Sequence, residues 1–334
     1  MDDRILLAHG SGGKLSHELV EKKFLPFLSN PALNTLDDSA IFEASGRLAF
    51  TTDGYVVNPI FFPGGDIGKL AVCGTVNDLA MSGAKPLYLS LSAIIEEGLL
   101  LSELEQIVQS IKKSAEEAAV NIIAGDTKVV NRGQADKLFI TTSGVGIIPP
   151  GVDISGANAR VGDKVLLSGT IGDHGIAVMS QREGLRFSMT LESDCAPLNK
   201  LVSQMLEVSS RIHCLRDPTR GGLATTLNEL AQQSKVGIVV DEVNIPVKEE
   251  VKAACELLGL DPLYVANEGK LVAIIHPTDA DRVLTQMKKN NYGRDAAIIG
   301  EVNDEHRGKL VMKTKLGPSR IVDMLSGELL PRIC

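Results

Sequence analysis

The chain has 334 residues, with 34 Lys and Arg against 42 Asp and Glu, a formal charge of −8. That length suits two domains with a sizeable core, and the acid excess argues against general nucleic-acid binding, which needs a basic patch. No apolar run reaches the ~18–20 residues of a membrane span, and the start, Met1-Asp2-Asp3-Arg4, lacks the apolar core of a signal peptide, so a cytoplasmic protein is expected.

A glycine loop at 9–14 leads into a helix over 15–23. The β-branched run 47–57 predicts a strand. Leu70, Cys73, Val76 and Ala80 recur at helical spacing, so 66–82 is read as a helix with Asp66 as N-cap and Gly83 as its stop. A strand over 87–96 follows, then an amphipathic helix over 102–119 that opens with the capping-box pattern Ser102-x-x-Glu105. Strands at 121–128 and 137–148 complete a β-α-β-α-β-β order. Pro149-Pro150-Gly151 then marks a boundary. The second half reads as strand 164–168, helices 173–184, 197–209 and 221–234, and strand 236–242. Helix 248–258, strand 271–276, helix 279–290 and strands 296–302 and 309–314 follow. The fold class is thus α/β plus a mixed α+β layer, with expected domains 1–150 and 151–316 and a flexible tail over 317–334. Extended, the stretch after Gly317 reaches roughly 50 Å.

Carboxylates stand in glycine-rich or small-residue settings at Asp38, Asp53, Asp78, Asp126 and Asp217. A lone Asp before Gly or Ser is usually a turn or cap residue. Asp78 is different, because it is flanked by Val76, Leu79 and Ala80 on a helix, and a half-buried acid needs a partner. Several carboxylates with small neighbours suit Mg²⁺, which takes oxygen ligands and shares them with substrate phosphates. The loop His9-Gly10-Ser11-Gly12-Gly13-Lys14 offers amides and a cation for a phosphate, although its spacing is not that of a P-loop. Arg220 ahead of Gly221-Gly222 and a helix start is a second anion candidate.

The segments GSGGK, DDSA, TTDGYV, GTVNDLAMSGA, GDTKVV, DPTRGGL and NEGKLV occur in that order, and the chain ends in PRIC. Across its whole length the sequence resembles the aminoimidazole ribonucleotide synthetase and selenophosphate synthetase superfamily, and within it the hydrogenase maturation factors of the HypE type. The glycine loop carries no Cys or selenocysteine, which lowers the selenophosphate reading. The resemblance implies a homodimer with an aminoimidazole-ribonucleotide-synthetase-like two-domain fold. It implies ATP-dependent dehydration of a carbamoyl group on the C-terminal cysteine to a thiocyanate, as a source of cyanide for the iron of [NiFe]-hydrogenase. A carbamoyltransferase, HypF, would load the thiol and a HypC–HypD complex would receive the cyanide. Carried over by motif, Asp38, Asp53, Asp78 and Asp217 fall at Mg²⁺ positions, and Lys14, Asp126, Thr127 and Arg220 join the acids in binding ATP. Glu268 and Lys128 fall near the reacting group, Lys128 as a stabiliser of charge on the oxygen under attack. Two rivals remain: an ATP-using relative that acts on a free small molecule, and a carrier that presents its thiol while ATP regulates it.

Of five cysteines, Cys334 has no residue after it, so a modified thiol there can enter a narrow site tip first. Its own α-carboxylate should oppose ionisation and Arg332 should partly offset that. Cys73, Cys195, Cys214 and Cys255 read as buried apolar residues, and His174 as a helix cap first and a ligand contact second.

Overall fold

The computed structural model describes residues 4–36, 39–183, 191–327 and 332–334. Two short helices, α1 (Lys14–Leu19) and α2 (Leu25–Leu28), are joined by a wider turn over Val20–Phe24. Strand β1 (Arg47–Tyr55) is followed by a small hairpin, β2 (Phe61–Phe62) with β3 (Gly65–Asp66), and then by α3 (Ile67–Met81). β4 (Lys85–Glu96), α4 (Leu101–Ala118), β5 (Asn121–Val130) and β6 (Leu138–Ile148) close the first unit. Its sheet runs β1-β6-β4-β5, antiparallel except for the β4–β5 pair.

Asp66 caps α3 as expected, its Oδ1 accepting from the N–H groups of Gly68 at 2.8 Å and Lys69 at 3.0 Å. The helix then stops at Gly83, whose φ of +74° suits glycine. α3 is buried on nearly every side. Leu70, Val72 and Val76 fill the core of this unit, whereas Ala80 and Met81 join a core cluster of the second unit. The capping box proposed for α4 is corrected: the helix begins at Leu101, and Glu103 accepts from the Leu100 N–H at 3.4 Å. Glu105 instead pairs with Lys23 at 2.8 Å.

The second unit comprises β7 (Lys164–Leu167), α5 (Asp173–Glu183), α6 (Asn199–Val208), β8 (Ile212–Arg216), α7 (Gly222–Ser234) and β9 (Gly237–Asp241). α8 (Glu249–Leu258), β10 (Val272–Ile275), α9 (Pro277–Met287), β11 (Ala297–Asn303), β12 (Leu310–Lys313) and β13 (Ser319–Val322) complete it. The seven strands are ordered β13-β12-β9-β11-β7-β10-β8. Alternation with a period of two sends Val165 and Leu167 toward α7, and Leu166 toward α6 and α9. This is a helix/sheet/helix sandwich.

Besides the β2–β3 hairpin, two strands of the second unit go beyond the expected elements. β8 is buried at four successive positions and carries a polar His213 whose Nδ1 meets Asp163 at 2.7 Å, so it shows no alternation to read. β13 lies within the stretch expected to be a flexible tail, where Thr314 and Pro318 close a turn that returns the chain onto β12. Among the described residues no helix is long and apolar enough to cross a membrane.

Candidate active site

β1 presents Thr51, Asp53 and Tyr55 on the face that packs against α3, because alternate strand residues share a side. On α3, Thr75 and Asp78 lie one turn apart and face them. Thr51 Oγ1 donates to Asp78 Oδ2 at 2.8 Å, and Tyr55 Oη donates to Asp53 Oδ2 at 3.2 Å. Thr75 Oγ1 also reaches Asp53 Oδ2, at 3.4 Å. Gly74 permits this approach, since a Cβ there would collide with the Tyr55 hydroxyl.

β8 ends at Arg216, one residue before Asp217, so the unexpected strand is what delivers the third acid. Burial, then the charges of Asp217 and Asp53, push the Asp78 carboxyl up to about 7. Burial, with Asp53 adding repulsion, pushes Asp217 up to about 6. Three acids on three elements therefore crowd one another, which is the electrostatic signature of a site built for a cation. Among the described residues no three Asp, Glu, His or Cys side chains converge closely enough to hold a metal by themselves. Asp38 lies outside the described residues.

Glu268 lies in the loop before β10 and is pinned from three sides. Asn77 Nδ2 donates to the Glu268 carbonyl at 3.3 Å and to Ala196 O at 3.0 Å, and its Oδ1 accepts from the Leu198 N–H at 2.8 Å. The Glu268 N–H donates to Asp194 Oδ1 at 3.1 Å, and Asp194 pairs with Lys270 at 3.3 Å. Asn267 ties this loop to the Asp217 loop through Pro218 O at 2.8 Å, and to the start of α5 through the Gly172 N–H at 2.7 Å. Glu268 is 4% exposed, and among the described residues its Oε1 has no hydrogen-bond partner. Burial above all holds its carboxyl well above the usual carboxylate range, and the charges of Asp217 and Asp194 add to this.

The chain end enters this buried volume. Ile333 is 3% exposed and packs in the first unit's core cluster with Val178, Cys195 and Ala266. Cys334 lines a cavity of about 350 Å³ together with Gly54, Arg220 and Tyr264. Its thiol lies beside the Glu268 carboxylate. Burial first and the Glu268 charge second hold the thiol well above its ordinary pKa, while Arg220 draws it down. The expected helper is thus corrected: Arg332 turns to Asp136 at 2.8 Å, and Arg220 is the cation that acts on Cys334. His174 is likewise no cap; its Nε2 meets the Ile333 carbonyl at 2.7 Å. Cys73, Cys195, Cys214 and Cys255 are buried, as expected.

The remaining sequence candidates assemble elsewhere. The glycine loop packs on β5, where a Cβ at Gly10 would collide with Val129. Gly12, Ser16, Asp126, Thr127 and Lys128 line a cleft of about 340 Å³, and Ser39 and Ala40 border it. Lys128 Nζ meets Asp126 Oδ1 at 3.0 Å, and both side chains are mostly exposed. Lys14 is exposed beside Glu18 at 3.7 Å. β5 is three strand spacings from β1, about 14 Å across the sheet. Within one chain, Lys14, Asp126, Thr127 and Lys128 are therefore not brought to Asp53, Asp78, Asp217, Glu268 and Cys334. Thr51, Tyr55, Thr75, Asn77 and Asp194 were missed as site residues, and His174 was read as a site contact only second to a cap. Thr51 and Asn77 stood inside the quoted motifs, but nothing local separates a hydroxyl or amide that orders a site from one that faces water.

Residues 36–148 match the AIR synthase related protein, N-terminal domain, and 160–313 match the AIR synthase related protein, C-terminal domain. The carbamoyl dehydratase HypE of Cupriavidus necator is 55% identical over 333 residues, 99% of this chain and 95% of that protein. A crystal structure of the hydrogenase maturation protein HypE in complex with ATP superposes with a TM-score of 0.96 at 52% identity, covering 98% of this chain and 99% of that one. A HypE–HypF complex superposes with a TM-score of 0.82 at 50% identity, covering 92% and 99%.

Proposed function

We infer the reaction from one premise: the chain belongs to the carbamoyl dehydratases named HypE, within the AIR synthase related proteins. It is an enzyme that uses ATP to remove water from the S-carbamoyl group of Cys334, leaving a thiocyanate whose cyanide serves the iron of [NiFe]-hydrogenase. The observation that carries this reading is the delivery of the terminal thiol, inside its own chain, to Glu268 beside three crowded acids.

ATP, when bound, supplies the phosphoryl group that turns the carboxamide oxygen into a leaving group, and such a transfer depends mainly on positioning and charge neutralisation. The Glu268 carboxylate accepts a proton from the nitrogen as the C–N bond gains order, and the phosphorylated oxygen departs with its electron pair. The departing phosphate takes the second N–H proton as the triple bond forms, so two protons and one oxygen, the atoms of one water, leave. Burial of the Glu268 loop excludes bulk water from the thiocyanate.

Asp53, Asp78 and Asp217 suit Mg²⁺, since they are oxygen donors that repel one another in the absence of a cation. An incomplete protein shell fits an ion whose remaining ligands are phosphate oxygens, with Asp38 as a further ligand. Arg220, Lys14, Asp126 and Thr127 join the acids in binding ATP, with Lys128 as the stabiliser of charge on the oxygen under attack.

Lys14, Asp126, Thr127 and Lys128 reach the acids through a second copy of the chain. The sheet face away from α3 exposes Leu48 and Phe50, the latter 73% exposed, with Ile94 nearby. The register sets Lys128 beside Ile94 on this same face. A homodimer stacked on it about a two-fold axis along the strands would set β5 of one chain opposite β1 of the other. The domains are 1–150 for nucleotide binding and dimerisation, 151–316 for the α+β layer, and 317–334 for the substrate arm. HypF as the loading partner accords with the HypE–HypF complex, and a HypC–HypD complex is the proposed acceptor, in the cytoplasm.

The deciding test is mass spectrometry of the C-terminal peptide. The S-carbamoyl adduct on Cys334 should lose one water on addition of ATP and Mg²⁺. An adduct that ATP leaves unchanged would overturn the dehydratase reading, and turnover that survives Cys334→Ala would point to a free substrate.

A further inference from the structure

The terminal cysteine is attached to the chain by one peptide group, and that group has its own receptor. His174 is fully buried, and burial pulls its imidazole below the ordinary histidine value, so it is neutral. A carbonyl cannot donate, so the contact from Nε2 to the Ile333 oxygen at 2.7 Å puts the ring proton on Nε2. Nδ1 is then bare and accepts from the Ser193 hydroxyl at 2.8 Å. Ser193 is itself fixed: its N–H donates to Pro63 O at 2.8 Å, and its Oγ accepts from the Cys195 N–H at 3.1 Å. Phe62 stands edge-on to the imidazole, with centroids 5.4 Å apart. One residue earlier, the Arg332 carbonyl accepts from the Asn58 N–H at 3.1 Å and from Arg182 Nη2 at 2.7 Å.

We propose that His174 is a positioning residue of the dehydratase, one that grips the last peptide group of the chain and so aims the Cys334 sulfur at Glu268. The peptide plane is rigid. With the Ile333 carbonyl held, only φ and χ1 of Cys334 lie between the grip and the sulfur. The receptor holds backbone oxygens, so it leaves the Cys334 side chain free to carry a carbamoyl group. Side-chain selection falls to the buried Ile333 and to the Arg332–Asp136 pair. Removing the His174 donor would strand a buried carbonyl, a cost that expels the tail. Gln at this position keeps an N–H at a reach comparable to Nε2, whereas Leu keeps the bulk and loses the donor.

The proposal rests on the dehydratase reading, so two readouts are taken on the full chain. The first is the native-state rate at which a maleimide alkylates Cys334, which involves no dehydration. The second is the single-turnover rate of water loss from the S-carbamoyl chain. His174→Leu should raise alkylation at least tenfold and slow water loss at least tenfold with the KM for ATP unchanged, and His174→Gln should restore both to within about threefold. Ser193→Ala should move both about threefold in the same direction. If His174→Leu does not fold, as near-ultraviolet circular dichroism would reveal, Ser193→Ala decides. Cys334 equally protected and equally fast in the folded variant would overturn the positioning role. If the wild-type chain never loses water but alkylation follows the predicted order, the dehydratase reading fails and the grip stands.

Discussion

The two candidate clefts are built from the same residue types and differ in burial. Around β1 and α3, Asp78 and Asp217 sit half-buried with raised pKa values, the deeply buried Glu268 has an oxygen with no partner among the described residues, and the last residues of the chain are plugged among them. At the β5 edge, Asp126 is exposed and already has its cation in Lys128, and the glycine loop above it is open. The first cleft holds substrate and concentrates negative charge that calls for a cation. The second offers cations and backbone amides that suit an anion. Neither is a complete phosphoryl-transfer site, so the difference between them argues for a shared site.

The most severe way to test the buried side is Glu268→Gln. It should lower the single-turnover rate of water loss by ~10²–10⁴-fold, the usual size of a lost proton-transfer group, while carbamoylation of Cys334 by its loading partner continues. A variant that loses carbamoylation as well would make Glu268 a structural residue.

Mixing tests whether the clefts are shared. Lys128→Ala and Asp53→Asn chains should each be inactive as homodimers. Unfolded and refolded together, they should recover about a quarter of wild-type activity, because half the dimers are mixed and each has one intact site. No recovery would confine each site to one chain.

The acid crowding makes a pH prediction. Asp78 is raised to about 7 in the fold, so the folded chain binds an extra proton that the unfolded chain has lost. Stability is therefore greatest below about pH 4 on this account and declines as pH climbs toward about 7, where the folded group ionises. Asp217, raised to about 6, acts in the same direction. Without metal the melting temperature should fall by a few degrees between pH 5 and pH 8, and Asp78→Asn should flatten that fall. Mg²⁺ with nucleotide should raise the melting temperature more at pH 8 than at pH 5. A profile unchanged by Asp78→Asn would remove the crowding argument.

The smallest effect belongs to the open cleft. Lys14 is solvated beside Glu18, so Lys14→Ala should leave the melting temperature within a degree or so. It should raise the KM for ATP by about three- to tenfold.

Local patterns sufficed for most of the first unit. α3 and its cap at Asp66 follow from apolar spacing and from an acid placed where free amides need an acceptor. The acids of the motifs were legible as carboxylates in tight turns. Their division into two clefts was not, because sheet order decides it and β5 is placed by pairing with β4 rather than β1. β8 escaped notice because a strand buried on both faces loses its alternation, and His213 hides its polarity in a bond to Asp163. His174 read as a cap because its true partner, Ile333, lies 159 residues away.

By itself the sequence determined the elements with strong periodicity, and the kinds of chemistry the acids, glycines and Cys334 allow. Those are properties of neighbours along the chain, where spacing and residue type set the physics. Only the tertiary structure decided that this half-buried thiol lies beside Glu268, is held through the Ile333 carbonyl and has its pKa raised. Desolvation and long-range hydrogen bonds depend on which distant segments meet.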